Sequence, residues 1–257
     1  MLKQTKIIAL FIFLSSSPLF SANWTIKPGT LTIAIASEYP SLAYEEAGEL
    51  VGLEVDYARL IANELGLELV LNPSTSIGAI DQVLSGKADI AMGGIKLSPE
   101  LSFNVHLTDT FLESSQMAIV NYERILRLSG PGQFYRADKT IGVLRNSTGE
   151  RWAKKEFKPD QLKSFSSLSE ALKALRANGI DYLVHDATTS WHLARDENFK
   201  DLQSIYKPLN KEELVWAINK NNPILAQRVG RLIRTWRTTG IIDVMNRRWI
   251  KARMEID

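Results

Sequence analysis

The segment Lys87-Ala88-Asp89-Ile90-Ala91-Met92-Gly93-Gly94-Ile95-Lys96-Leu97-Ser98-Pro99-Glu100-Leu101 decides how the rest of the chain is read. Asp89 to Met92 predicts a short buried strand; Gly93 and Gly94 end it, a polar loop follows, and a new helix opens at Pro99. A strand that stops at glycines beside a helix N-terminus brings backbone N–H groups close to a bound group, which suits an anion.

The same alternation extends on both sides. Leu31 to Ala36 reads as a strand, Asp56 to Leu65 as a helix stopped by Gly66, Leu67 to Leu71 as a strand and Ile77 to Leu84 as a helix. Strand and helix alternating at this spacing mean βαβ units and a largely parallel sheet. The pattern then restarts: strands are expected at Met117 to Asn121, Thr140 to Leu144, Lys163 to Phe165 and Asp181 to Val184. Helices are expected at Thr148 to Phe157, after the Ser167–Glu170 capping box, and over Ala187 to Arg195. A last strand, Leu214 to Asn219, precedes a helix that Asn222-Pro223 caps and that runs to about Thr238. Two small α/β units in succession place a ligand cleft between them.

Composition narrows the function. The chain has 257 residues, 45% hydrophobic and 23% charged, with a formal charge of +2. That balance gives no reason to expect a nucleic-acid partner. The absence of Cys excludes catalytic thiols, thiolate metal sites and disulfides. His106, His185 and His192 are scattered, so neither a metal nor a cofactor is expected. Lys3 and Lys6 precede the apolar run Ile7 to Leu14 and the small residues Ser15 to Ala22, the order of a secretory signal peptide cut near Ser21 or Ala22. With no Cys for a lipid anchor, a soluble periplasmic product is expected.

Several segments then resemble one family in order and spacing. They are Tyr39-Pro40-Ser41-Leu42-Ala43-Tyr44, Gly48 to Asp56, Leu84-Ser85-Gly86-Lys87-Ala88-Asp89, Thr108-Asp109-Thr110-Phe111, Ile141 to Thr148, Asn178 to Asp186, and Trp236 through Trp249. Together they are similar to the extracellular solute-binding proteins of family 3, the periplasmic polar amino-acid-binding components of ABC importers. The resemblance implies a two-lobed α/β fold of the periplasmic-binding-protein type II, each lobe a mainly parallel sheet flanked by helices. It implies a signal peptide over 1–22, a discontinuous first lobe over 23–113 plus 211–257, and a second lobe over 114–210. It further implies a monomer that closes by a hinge around an amino acid or related amine and engages the importer's membrane subunits.

The candidate ligand-binding residues are Tyr39, Gly94, Lys96, Ser98, Arg145, Ser147, Thr148, His185 and Asp186. Tyr39 either walls the cleft or covers the core, whereas Tyr44 is expected in the core. Gly94, Lys96 and Ser98 lie on the glycine loop. By resemblance that loop is followed by an arginine gripping the ligand carboxylate, but Leu101 stands there. Losing such a pair costs about 2–5 kcal/mol without a substitute. Lys96 and Arg145 are the candidate replacements, Lys96 being otherwise a solvated surface lysine. Ser147 and Thr148 either cap a helix or meet an anion. By resemblance Asp186 takes the ligand ammonium, and its alternative is a helix N-cap; His185 is its neighbour. Asn146 departs from the family's usual glycine.

Two other functions share this fold. Ser147-Thr148-Gly149-Glu150-Arg151-Trp152 is loosely similar to the acid-bearing loop of cyclohexadienyl dehydratases, with Glu150 as the general acid, although a first-turn glutamate also complements a helix dipole. A sensor or scaffold that has lost standard amino-acid binding is the other alternative. No enzymatic activity is the expectation.

Overall fold

The computed structural model describes residues 24–250 apart from 131, 194, 195 and 206. The expected signal peptide lies outside the described residues, as does the end of the helix read to Arg195.

The first sheet runs in the order Glu68–Ser74, Thr30–Ala36, Ile90–Met92, Ala217–Asn219, Val105–Leu107. Its first three strands are parallel and the last two pairings antiparallel. Side-chain alternation explains its layers. Leu31, Ile33 and Ile35 pack with helix Leu53–Leu65 and helix Pro223–Thr238, while Ala34 on the opposite face packs with Ala79 and Val83 of helix Ser76–Leu84. The large side chains build the main core, and the alanine face lets the shorter helix lie close. Leu101 belongs to that second face, half-buried against the cluster around Ala79, Val83 and Val105.

The second sheet runs Leu162–Phe165, Ile141–Leu144, Tyr182–Asp186, Gln116–Asn121, Leu202–Ile205, again parallel over three strands and antiparallel over the last two pairings. Helix Thr148–Glu156 covers one face, and helices Leu168–Arg176 and Ala187–Leu193 the other. Both sheets are therefore mixed. Their parallel part is the βαβ core that the periodicity predicts, and their antiparallel edge is made by strands next to the crossings between sheets.

Those crossings form a ribbon of their own, Leu112–Ser114 antiparallel to Glu212–Leu214. The single strand expected over Leu214 to Asn219 is thus two strands in different sheets. Val215 and Trp216, both wholly buried, make the change of partner between them. Trp216 stacks on Phe111 with centroids 4.8 Å apart and meets Tyr57 at 5.4 Å, fixing the hinge ribbon to the first lobe.

Candidate functional site

At the turn after strand Ile90–Met92, Gly93 and Gly94 have φ of +105° and +70°. A side chain at Gly93 would meet the Ala36 backbone at 2.5 Å, so only glycine fits. Their N–H groups do point at a carboxylate, but it is the protein's own. Glu54 Oε2 accepts from Gly93 at 2.8 Å and Oε1 from Gly94 at 2.7 Å, and the Trp216 indole donates to Oε2 at 3.1 Å. This corrects the reading of the turn as a ligand's anion site: Glu54, wholly buried, fills it. Burial pushes its carboxyl up to about 7 against the pull of the three donors. One local signal marked Glu54, a charge between the apolar residues Leu53 and Val55 at a helix start.

In front of this turn, Tyr39, Leu42, Gly94, Lys96 and Leu214 face Ser114, Asp186 and Thr188 across a space of about 10 Å³. That is room for a single water. The Tyr39 ring lies over Gly94, and its hydroxyl accepts from Ser76 Oγ at 3.1 Å. Burial raises its pKa, helped by the negative charge of Asp186.

Lys96 ties the halves together. Its backbone bridges Leu214 of the hinge ribbon, its ammonium lies 2.8 Å from Glu212 Oε2, and it donates to the Thr148 hydroxyl of the second lobe. Glu212 Oε1 accepts from Gln116 at 3.0 Å and from Asn210 at 3.3 Å. Lys96 is therefore not a solvated surface lysine; a half-buried network of an ion pair and hydrogen bonds holds it. Gln116, Asn210 and Glu212 were not singled out from sequence, since three-residue hinge strands carry no periodicity to mark them.

Asp186 is the helix cap foreseen as its alternative role, accepting from Thr189 N at 2.9 Å at the start of helix Ala187–Leu193, and it stands at the cleft. Its oxygens also accept from the Thr188 and Thr189 hydroxyls and pair with His185 Nδ1. Burial opposes its ionisation, but His185, Lys96 and the hydroxyls outweigh burial and hold its pKa well below the usual carboxylate range.

Tyr39, Gly94, Lys96, Thr148, His185 and Asp186 are thus brought together. The other candidates stand elsewhere. Ser98 caps the single turn Pro99–Ser102, accepting from Leu101 N, and Ser147 caps helix Thr148–Glu156, accepting from Glu150 N at 3.0 Å. Arg145 is exposed, its charge acting on Glu170, and it is not among the residues lining the cleft. Glu150 accepts from Asn146 N at 2.8 Å and from the Ser164 hydroxyl at 2.6 Å, which with Lys154 keeps its pKa low. Glu150 is thus bonded within its own lobe and is not among the residues lining the inner cleft. Asn146 takes the left-handed conformation, φ +63°, that glycine otherwise supplies.

One helical turn beyond Thr188, at His192, lies a second pocket of about 340 Å³, lined by Ser41, Tyr44, His192, Asp196, Arg248 and Trp249. Tyr44, expected in the core, is half-buried in this wall. Its ring lies 6.0 Å from His192 and 6.4 Å, edge-on, from Trp249, because its hairpin, strands Glu38–Tyr39 and Ala43–Glu46, meets the end of the C-terminal helix Ile241–Trp249 rather than the core.

Residues 31–252 match the family model of bacterial extracellular solute-binding proteins, family 3. The chain belongs to this family. Among curated relatives it is 22% identical over 235 residues to the L-cystine-binding protein TcyJ of Escherichia coli K12, covering 90% of this chain and 86% of TcyJ. A cyclohexadienyl dehydratase of Pseudomonas aeruginosa is 25% identical over 134 residues, covering 52% of this chain and 50% of the enzyme. Among solved structures, a putative ABC-transporter binding component of Wolinella succinogenes complexed with lysine superposes with TM-score 0.78 at 22% identity, over 89% of this chain and 98% of that one. This family 3 chain therefore has the two-lobed binding-protein fold, and the dehydratase likeness reaches only half of it.

Proposed function

We propose that this chain is the solute-binding component of an ABC importer and that it captures an amino acid or related amine between its lobes, the ammonium meeting Asp186. The observation that carries the reading is the acidic pole of the cleft. The Lys96 ammonium pairs with Glu212 and its charge also acts on Asp186, an alkyl ammonium tethered to the protein beside the carboxylate that a solute's amine would meet. When the lobes part, the Asp186 carboxylate is left open to an incoming amine. The relatives named for cystine and the structure holding lysine support an amino-acid solute.

Leu101 faces the alanine-lined core, so no arginine at that position grips a carboxylate in the inner cleft. The amine is therefore the group recognised there first. Glu150, bonded within its own lobe and not among the residues lining the inner cleft, gives a dehydratase reading no support.

Calorimetric titration with amino acids and their decarboxylated amines tests the proposal. Asp186→Asn keeps the helix cap, since asparagine caps as well as aspartate, and should weaken the best-bound amine at least 30-fold, the lower bound for a lost charge-assisted pair of about 2 kcal/mol. Unchanged affinity in that variant would falsify the assignment. No stabilisation by any amine would instead favour the sensor or scaffold role.

A further inference from the structure

We propose that the outer pocket is a second solute subsite, shaped for a zwitterionic head, so that the solute is elongated and carries an amino-acid head at each end. The inference rests on the reading of Asp186 as the pole for the first ammonium.

Size comes first. The inner cleft leaves about 10 Å³, whereas the outer pocket offers about 340 Å³, within the usual range for small-ligand sites. The two are neighbours on the same elements. Thr188 lines the inner space and His192, four residues on along the same helix, lines the outer one; Tyr39 and Tyr44 do the same on the opposite hairpin. A solute held by its ammonium at Asp186 has the outer pocket as the direction in which to extend.

Charge comes second. On the first-lobe wall, Arg248 lies 3.1 Å from Asp56 and 5.7 Å over the Trp249 ring. Asp56 also pairs with Arg59 at 3.2 Å and accepts from the Trp249 indole at 2.8 Å. Arg248 is the charged side chain that the first lobe gives to the pocket lining, and it is 67% exposed along its side chain, placed to take a second partner. On the second-lobe wall stands Asp196, whose Oδ1 accepts from the Asn198 backbone and side chain at 2.9 Å. Facing side chains of opposite sign complement a carboxylate and an ammonium on one carbon, and a planar guanidinium suits the carboxylate. Tyr44, His192 and Trp249 supply apolar faces for the stem. In this arrangement Arg248, from the C-terminal helix, supplies the carboxylate contact that Leu101 does not.

Titration with matched probes tests the assignment. L-cystine is compared with S-methyl-L-cysteine, and 2,6-diaminopimelate with 2-aminoheptanoate, each pair sharing one head and differing in the second. The intact protein should bind at least one two-headed probe tenfold or more tighter than its one-headed partner. In Arg248→Gln, and independently in Asp196→Asn (which keeps the local cap), that ratio should fall toward one, with circular dichroism confirming both variants folded. A ratio near one in the intact protein, or a ratio that survives both substitutions, overturns the outer subsite. In that case the Asp186 reading still stands if Asp186→Asn weakens the one-headed probes. If no probe of either kind binds, both readings fall.

Discussion

Glu54 is a charged side chain enclosed in the first lobe and aimed at three N–H groups, so its protonation is coupled to folding. Its folded pKa, about 7, lies above the ordinary 4.5. The stabilisation that belongs to the protonated form is then complete below about pH 4.5 and is lost as pH climbs through 7. In urea titrations at a series of pH values, the intact protein should lose on the order of a few kcal/mol across that window. Glu54→Gln should lack that component, so that any stability advantage of the intact protein over the variant is largest in acid and shrinks toward neutrality. A gap that widens with pH would mean that the three donors, rather than burial, set the charge. Such a role is hard to read in advance: the glycine turn announces a bound anion, but its partner sits 39 residues away on a helix whose pattern explains every neighbour except Glu54.

Caps and sheets behave differently at the scale of the element. Ser147 starts a nine-residue helix, whereas Ser98 starts a four-residue turn. Ser147→Ala should cost about 1 kcal/mol of unfolding free energy, and Ser98→Ala less than about 0.5 kcal/mol, measured by chemical denaturation at neutral pH. The long elements were legible because their periodicity extends over several turns or strands: Thr30–Ala36 and Pro223–Thr238 fall within a residue of expectation. The hinge ribbon was not, because three residues contain neither period. Nothing local marked Val215 and Trp216 as the break in an apparently continuous strand, since both are as apolar as strand residues should be. Much of the candidate site was legible through single residues such as Asp186 and Lys96, yet their partner Glu212 and the whole outer pocket depend on packing between segments far apart in sequence. Tyr44 and Trp249 meet only because the hairpin and the C-terminal helix cover the same end of the first lobe.

For the whole molecule, the hinge ribbon, the Lys96–Thr148 contact and the Tyr44–His192 ring contact all join the lobes. Lys96→Met keeps the aliphatic stem and removes the charge. Without solute it should show a larger radius of gyration by small-angle scattering than the intact protein, and the two should converge at saturating solute. Equal radii without solute would show that Lys96 does not hold the lobes together. The split at Val215 and Trp216 also bears on the order in which the molecule is made. Ala217–Asn219 lies inside the first sheet, between Ile90–Met92 and Val105–Leu107, yet it is the last strand among the described residues. The first lobe therefore waits, two strands at its edge unjoined, until the entire second lobe has been synthesised. The second lobe, built from one uninterrupted run, can form as soon as it emerges. Long-range pairing of this kind folds slowly, which for a chain read as carrying an export signal keeps the larger lobe open while the smaller one is already compact.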